Sequence, residues 1–177
     1  AGFEPGVLEI ATLPSLVDAT LLEPIRRWHL EHSDVAIRLH EFSLQTSMEE
    51  EVTGGLCDLA IGVRPPRWSG PVVSLGWEQF VVVLPPGDPL FGDKGPVALA
   101  ELADRTWVLY EASNGLADFV TVACAHAGFR PHEGVSTSQV QAAVQLASAG
   151  IGPVLIPSDN VPAEIADAAR PLDPPIV

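Results

Sequence analysis

Few side chains in this sequence are placed to make or break bonds; more are placed to hold a small molecule. His29 and His32 share a helical pattern at i, i+3, but no third ligand accompanies them, and they read as solvated helix residues. His40, His126 and His132 are scattered. No Gly-x-Ser-x-Gly elbow and no phosphate loop occurs, since Gly150-Ile151-Gly152 runs into Pro153 rather than into a helix. Glu9, Glu41 and Glu111 flank strand patterns without a visible partner, and the run Glu49-Glu50-Glu51 reads as a solvated helix face. Cys57 and Cys124 lack metal spacing and read as core thiols in a reducing compartment. The expectation is a non-enzyme with no cofactor and no metal.

Hydroxyls, amides and one guanidinium remain. Thr12, Leu13 and Ser15 lie in a loop after a strand pattern, Ser43, Gln45 and Thr46 in the next such loop, and Arg64 after a third strand. Tyr110, Asn114, Thr137 and Ser138, with Ser136 beside them, fall at comparable strand ends later in the chain. In open α/β sheets ligands gather at the carboxyl ends of strands, where helix N-termini present free N–H groups suited to a carboxylate. Arg64 would add a bidentate partner for an anion. Each also has a plain structural reading. Ser and Thr are preferred helix caps, an arginine on an acidic chain is a surface charge, and a tyrosine is often a core-edge residue.

The elements that must position these residues alternate. Residues 6–11 read as a strand, 15–32 as a helix interrupted by Pro24, 35–41 as an alternating strand, 48–53 as an acidic helix capped by Thr46 or Ser47, and 59–63 as a short strand covered on both faces. This β-α-β-α-β order predicts a parallel sheet with right-handed crossovers. A Pro- and Arg-rich loop, 64–71, follows. Then come β-rich runs at 72–76 and 80–85, a tight turn at 85–90, a short helix at 97–103 and a strand at 106–110. A helix over 115–127 with Gly128 after it, a strand at 134–137, a helix over 139–149 capped by Ser138, and a strand at 152–157 complete the second series. The tail holds a small Ala-rich helix and a last strand near 170–173.

The chain has 177 residues with 47% hydrophobic, enough for two small lobes, and no apolar run long enough to span a bilayer. Its first residues carry no signal core and look like an arbitrary start, and the two core thiols make the cytoplasm the expected location. With 23 acids against 9 bases the net charge is −14, and Lys94 is the single lysine. Such a surface repels DNA.

Several stretches together carry a family resemblance. Gly6-Val7-Leu8-Glu9-Ile10, Leu21-Leu22-Glu23-Pro24, residues 35–41 and Gly55-Leu56-Cys57-Asp58-Leu59-Ala60-Ile61-Gly62 resemble, in order, the effector-binding domain of bacterial LysR-type transcriptional regulators. Trp77-Glu78-Gln79-Phe80 with residues 81–85, then Asp88-Pro89-Leu90, then residues 141–152 and Leu155-Ile156-Pro157 continue the match. Asp88 stands where the family often has histidine, and Pro153 and the 64–71 loop also depart from its pattern.

The resemblance implies a type 2 periplasmic-binding-protein-like α/β fold: two lobes, two crossover strands and a ligand cleft between the lobes. The first lobe is expected over 1–63 with about 158–177, the crossing loop over 64–71 and the second lobe over 72–157. The family's last strand and helix of the first lobe would fall beyond Val177. The implied role is sensing a small organic effector, acidic rather than basic, as a homodimer or tetramer. DNA would be contacted only through an N-terminal winged helix-turn-helix absent from this chain. The alternative is an extracytoplasmic solute-binding protein of the same fold; a third reading, an enzyme on this fold, lacks a catalytic constellation.

Overall fold

The computed structural model describes residues 6–65 and 67–176. The chain divides into two compact units, Ala1–Leu75 and Gly76–Val177.

In the first unit, β1 (Val7–Thr12) is the centre of a three-stranded parallel sheet. Two short helices, α1 (Pro14–Leu16) and α2 (Leu22–Glu31), lead to β2 (Ala36–Glu41) on one side of β1. From β2, α3 (Gln45–Thr53) leads to β3 (Leu59–Ile61) on the other side. This is the βαβαβ arrangement expected from the alternation of periods. The register sets Thr12 opposite both Glu41 and Ile61, so the three strands end level. A wide π-helical turn, Val17–Leu21, joins α1 to α2, and Pro24 falls in the first turn of α2. The ring removes a ladder donor there, and the irregular turn lies immediately upstream.

Three local expectations change. The strand at 59–63 is shorter and is not covered on both faces: among the described residues it pairs only with β1, and as the sheet's edge it leaves Leu59 51% exposed. Neither Thr46 nor Ser47 caps α3. The helix starts earlier, at Gln45, and its N-cap is Leu44, which has no side chain able to accept an N–H. The run at 72–76 forms no strand, because no neighbouring backbone pairs with it among the described residues, and Val73 and Leu75 stay exposed.

In the second unit, β4 (Phe80–Val83) lies between the antiparallel strands β7 (Val154–Pro157) and β8 (Ala169–Pro171). A parallel pair, β5 (Thr106–Tyr110) and β6 (His132–Thr137), continues from β7 through Val108 N–H donating to the Pro153 carbonyl (3.0 Å). The helices α4 (Leu116–His126) and α5 (Val140–Ser148) pack on these strands. Ser138 does not cap α5; its N-cap is Gln139, whose N–H reaches the Thr137 hydroxyl (3.3 Å). The expected helix at 97–103 is a 3-10 turn, Leu99–Leu102. The tail corrects the expected lobe boundary: residues expected with the first lobe belong to the second unit. Leu84 N–H donates to Ala168 O (3.0 Å), Phe80 N–H to Ile176 O (2.9 Å), and β8 aligns with Val81 to Val83. An unpaired flank of β4 supplied the hydrogen-bond acceptors and donors that β8 needed.

The core of this unit is built on Trp107, Val82, Val83, Leu84, Leu102, Leu155 and Ile156, all essentially inaccessible. Trp107 Nε1 donates to Leu102 O (3.2 Å), which satisfies its single polar atom. Cys124 is fully buried here, and desolvation pushes its thiol up to about 11. The unfolded chain ionises this thiol near the ordinary pKa of about 8.5 while the native chain keeps it protonated, so the unfolded state binds fewer protons. Stability should therefore fall as pH rises from about 8.5 towards 11, and urea titrations across that range should show it. Cys124→Ala should flatten the slope.

Candidate functional site

The level strand ends of the first unit bring three connections side by side: Leu13 with the start of α1 after β1, residues 42–44 after β2 and 62–65 after β3. Phe42 N–H donates to Thr12 O (2.9 Å), which ties the first two together. The amide of Gln45 ties the third to α3. Its Nε2 donates to Val63 O (3.0 Å) and to Glu49 Oε1 (2.9 Å), and its Oε1 accepts from Val63 N–H (3.1 Å). Gly62 makes room for this clamp. A Cβ there would lie 2.6 Å from both Gln45 Oε1 and Met48 Cε. The residue after Val63 is Arg64, so the clamp fixes the backbone next to a cationic residue of the third loop at the start of α3.

The candidates fall into two groups. Thr12 is fully buried and its hydroxyl donates to Leu13 O (3.3 Å), so it faces inward. Leu13 is the N-cap of α1 and Ser15 lies in that helix. Gln45 is committed to Val63 and Glu49. Ser43, Thr46 and Arg64 are exposed. Arg64 enters no ion pair among the described residues. The first N–H groups of α3 have no intrahelical acceptor and no side-chain cap, so they remain available to an anion. What this edge can do chemically is accept a carboxylate: oriented N–H donors, two hydroxyls and one guanidinium.

In the second unit the strand-end residues staple the structure. Asn114 Nδ2 donates to Ser138 O (2.8 Å) while its Oδ1 accepts Leu116 N–H (2.8 Å), joining the loops after β5 and β6. Thr137 accepts from Gln139 N–H. Tyr110 is buried, its hydroxyl donates to Leu155 O (3.2 Å), and desolvation raises its pKa far above the ordinary value.

Sequence reasoning missed two features. The Gln45 clamp has no sequence signal beyond an amide near a helix start. The Glu9 carboxylate takes Arg38 on one oxygen and His40 Nε2 on the other (2.7 Å), and its N–H is held by Asp58 Oδ2 (3.0 Å). Parallel register would have given this: Glu9 sits opposite Arg38, and Arg38 and His40 share a face two residues apart. His29 and His32 stay separate from it; Trp28 and His32 rings lie 4.2 Å apart. Among the described residues no group of three or more His, Cys, Asp or Glu is placed to hold a metal ion.

Gln45→Leu should free Val63 and loosen the third loop. Its bonds are partly solvated, so the expected loss is about 1 kcal/mol. Amide exchange at Val63 should accelerate about fivefold, while the second unit's amides hold their rates.

The family model for the LysR substrate binding domain matches residues 1–176. This chain belongs to that family. The LysR-type domain is 30% identical over 156 residues to the HTH-type transcriptional regulator CatR of Pseudomonas putida, covering 85% of this chain and 52% of that regulator. It superposes with a TM-score of 0.79 on the C-terminal domain of a probable LysR family transcriptional regulator from Rhodococcus sp. RHA1, at 25% identity, covering 94% of this chain and 83% of that one. A TM-score of 0.79 also relates it to the effector binding domain of QuiR in complex with shikimate, at 18% identity, covering 97% and 83%. The fold is that of these effector-binding domains, the type 2 periplasmic-binding-protein-like α/β class. The LysR-type domain spans between 36% and 52% of the length of the three curated regulators it matches. Those relatives are regulators of transcription, not enzymes.

Proposed function

We propose that this LysR-type domain senses a small organic effector and that the effector is a carboxylate bound at the level strand ends of the first unit. One observation carries the reading: an uncapped helix N-terminus and Arg64, which has no ion pair among the described residues, are held together by the Gln45 clamp. Ser43 and Thr46 flank them with hydroxyls that can donate to an oxyanion. Shikimate, the molecule held by one solved relative, is itself a carboxylate, and it supports the same class here.

The chain's charge of −14 opposes an anion at long range. Within a Debye length of about 8 Å the local donors dominate, because more distant surface charges are screened. The same charge keeps the domain off duplex DNA, so transcriptional control acts through a basic DNA-binding module in another part of the regulator. The protein acts in the cytoplasm in this reading; no helix among the described residues is long and apolar enough to cross a membrane. It acts as a homodimer, because α2 buries no side chain in the monomer and leaves Leu22 and Leu30 about two-thirds exposed.

Thermal unfolding against benzoate, shikimate and matched primary amines tests the effector class. A carboxylate at a hundred times its Kd should add about 2.7 kcal/mol of stability and raise the melting temperature. Stabilisation by amines alone would overturn the carboxylate. A solute-binding protein of a transporter would show the same ligand response, but no ligand-dependent DNA binding by the full protein.

A further inference from the structure

We propose that residues 85–97 form a strap that Asp93 latches over the buried guanidinium of Arg170, and that ionic strength opens it. The inference is independent of the effector reading. The strap's ends are fixed to both sides of Arg170. Before it, Leu84 N–H donates to Ala168 O (3.0 Å); after it, Val97 N–H donates to Pro171 O (2.9 Å) and Asp173 N–H to Val97 O (3.0 Å). Its near half is pinned by Asp88, whose buried carboxylate takes Arg105 Nε (2.7 Å) and Leu90 N–H (2.9 Å). Its far half is loose: Asp93 N–H reaches Leu90 O at 3.3 Å, and Gly95 N–H reaches Asp93 Oδ1 at 3.4 Å.

Beneath the loose half lies Arg170, 3% exposed, opposite Val82 in the sheet. Its Nε is buried without a hydrogen-bond acceptor among the described residues. The one carboxylate within ion-pair reach among the described residues is Asp93, with Oδ1 3.7 Å from Nη2. That is attraction without a hydrogen bond. A buried cation needs a counter-charge, so the strap gains from closing. Asp93 itself is 73% exposed, so added salt screens the attraction and supplies a competing anion. The Asp88–Arg105 pair, with its carboxylate buried, should not respond in this way.

Lys94 is the sole lysine and is exposed in the loose half, next to the latch. A lysine-specific endoproteinase therefore cuts the 177-residue chain only after Lys94. Each native rate is divided by the rate for the same chain unfolded in urea, which cancels the protease's own response to salt and to residue 93. The normalised rate of the unmodified chain should rise about fivefold between about 0.01 M and about 1 M salt, where screening goes from weak to nearly complete. Asp93→Asn should cut at the fast rate at both salt levels. Asp118→Asn, on the surface of α4, should keep the unmodified chain's response. Exchange of the Gly95 amide in the unmodified chain at the two salt levels gives the salt comparison without a protease. Equal normalised rates for Asp93→Asn and the unmodified chain at low salt, or no salt response in the latter, would overturn the latch.

Discussion

Gly152→Ala should destabilise the second unit by about 3 kcal/mol or more. The reason is a backbone contact. A Cβ on Gly152 would sit 1.8 Å from Thr106 O, 2.8 Å from Thr106 C and 3.3 Å from Trp107 Cα. All three atoms are main chain of β5, so no rotamer change relieves the clash. Nor can residue 152 move away cheaply, because the next carbonyl, of Pro153, accepts the Val108 N–H that joins β5 to the β7 side of the sheet. Trp107 lies at the contact and is fully buried, so its fluorescence should report the loss in a urea titration. Gly150→Ala is the comparison. Gly150 has φ +93°, and a Cβ there meets nothing within 4 Å, so the cost is backbone strain alone, about 1 kcal/mol. A loss at Gly152 no larger than that at Gly150 would contradict the close approach of these strands.

That contact marks how far the sequence was legible. The strand-helix alternation of the first unit could be read because its periods switch cleanly between residues 6 and 61, and the parallel β2-β1-β3 order follows from the crossovers. The run from Ala149 to Gly152 was recognisable as a motif, but its physical reason, a strand packed against Gly152, is a contact between residues 46 apart in sequence. The level ends of the strands were also foreseeable, and with them the neighbourhood of Ser43, Thr46 and Arg64. The roles within it were not. Gln45 and Thr46 are adjacent polar residues at a helix start, yet one is spent on Val63 and the other is exposed. Composition cannot separate them, since the difference is set by where β3 ends in space. The tail was misplaced for a similar reason: three residues, Ala169 to Pro171, carry no periodicity that says which sheet they join.

Arg64→Ala should weaken carboxylate binding roughly ten- to a hundredfold, the loss of one charge-assisted hydrogen bond worth about 1.5–3 kcal/mol. Arg64 has no ion-pair partner to release among the described residues and is exposed, so its removal should leave stability within about 0.5 kcal/mol. That separation of affinity from stability distinguishes it from Gln45→Leu, which acts on the loop itself. Arg64→Lys should recover part of the loss, because the charge returns without the bidentate geometry. Ser43→Ala, removing a neutral donor, should cost less than Arg64→Ala. Calorimetry with shikimate or benzoate gives both numbers. Identical affinities for Arg64→Ala and the unmodified domain would remove the guanidinium from the site.

The central claim is that the level strand ends of the first unit bind the carboxylate, and an amide-resolved NMR titration with shikimate and benzoate tests it most directly. The account predicts saturable shifts concentrated at the amides of residues 43–47 and at Arg64, with Val63 following through the Gln45 clamp. Saturable shifts confined to other segments, with 43–47 and 64 unmoved, would contradict it.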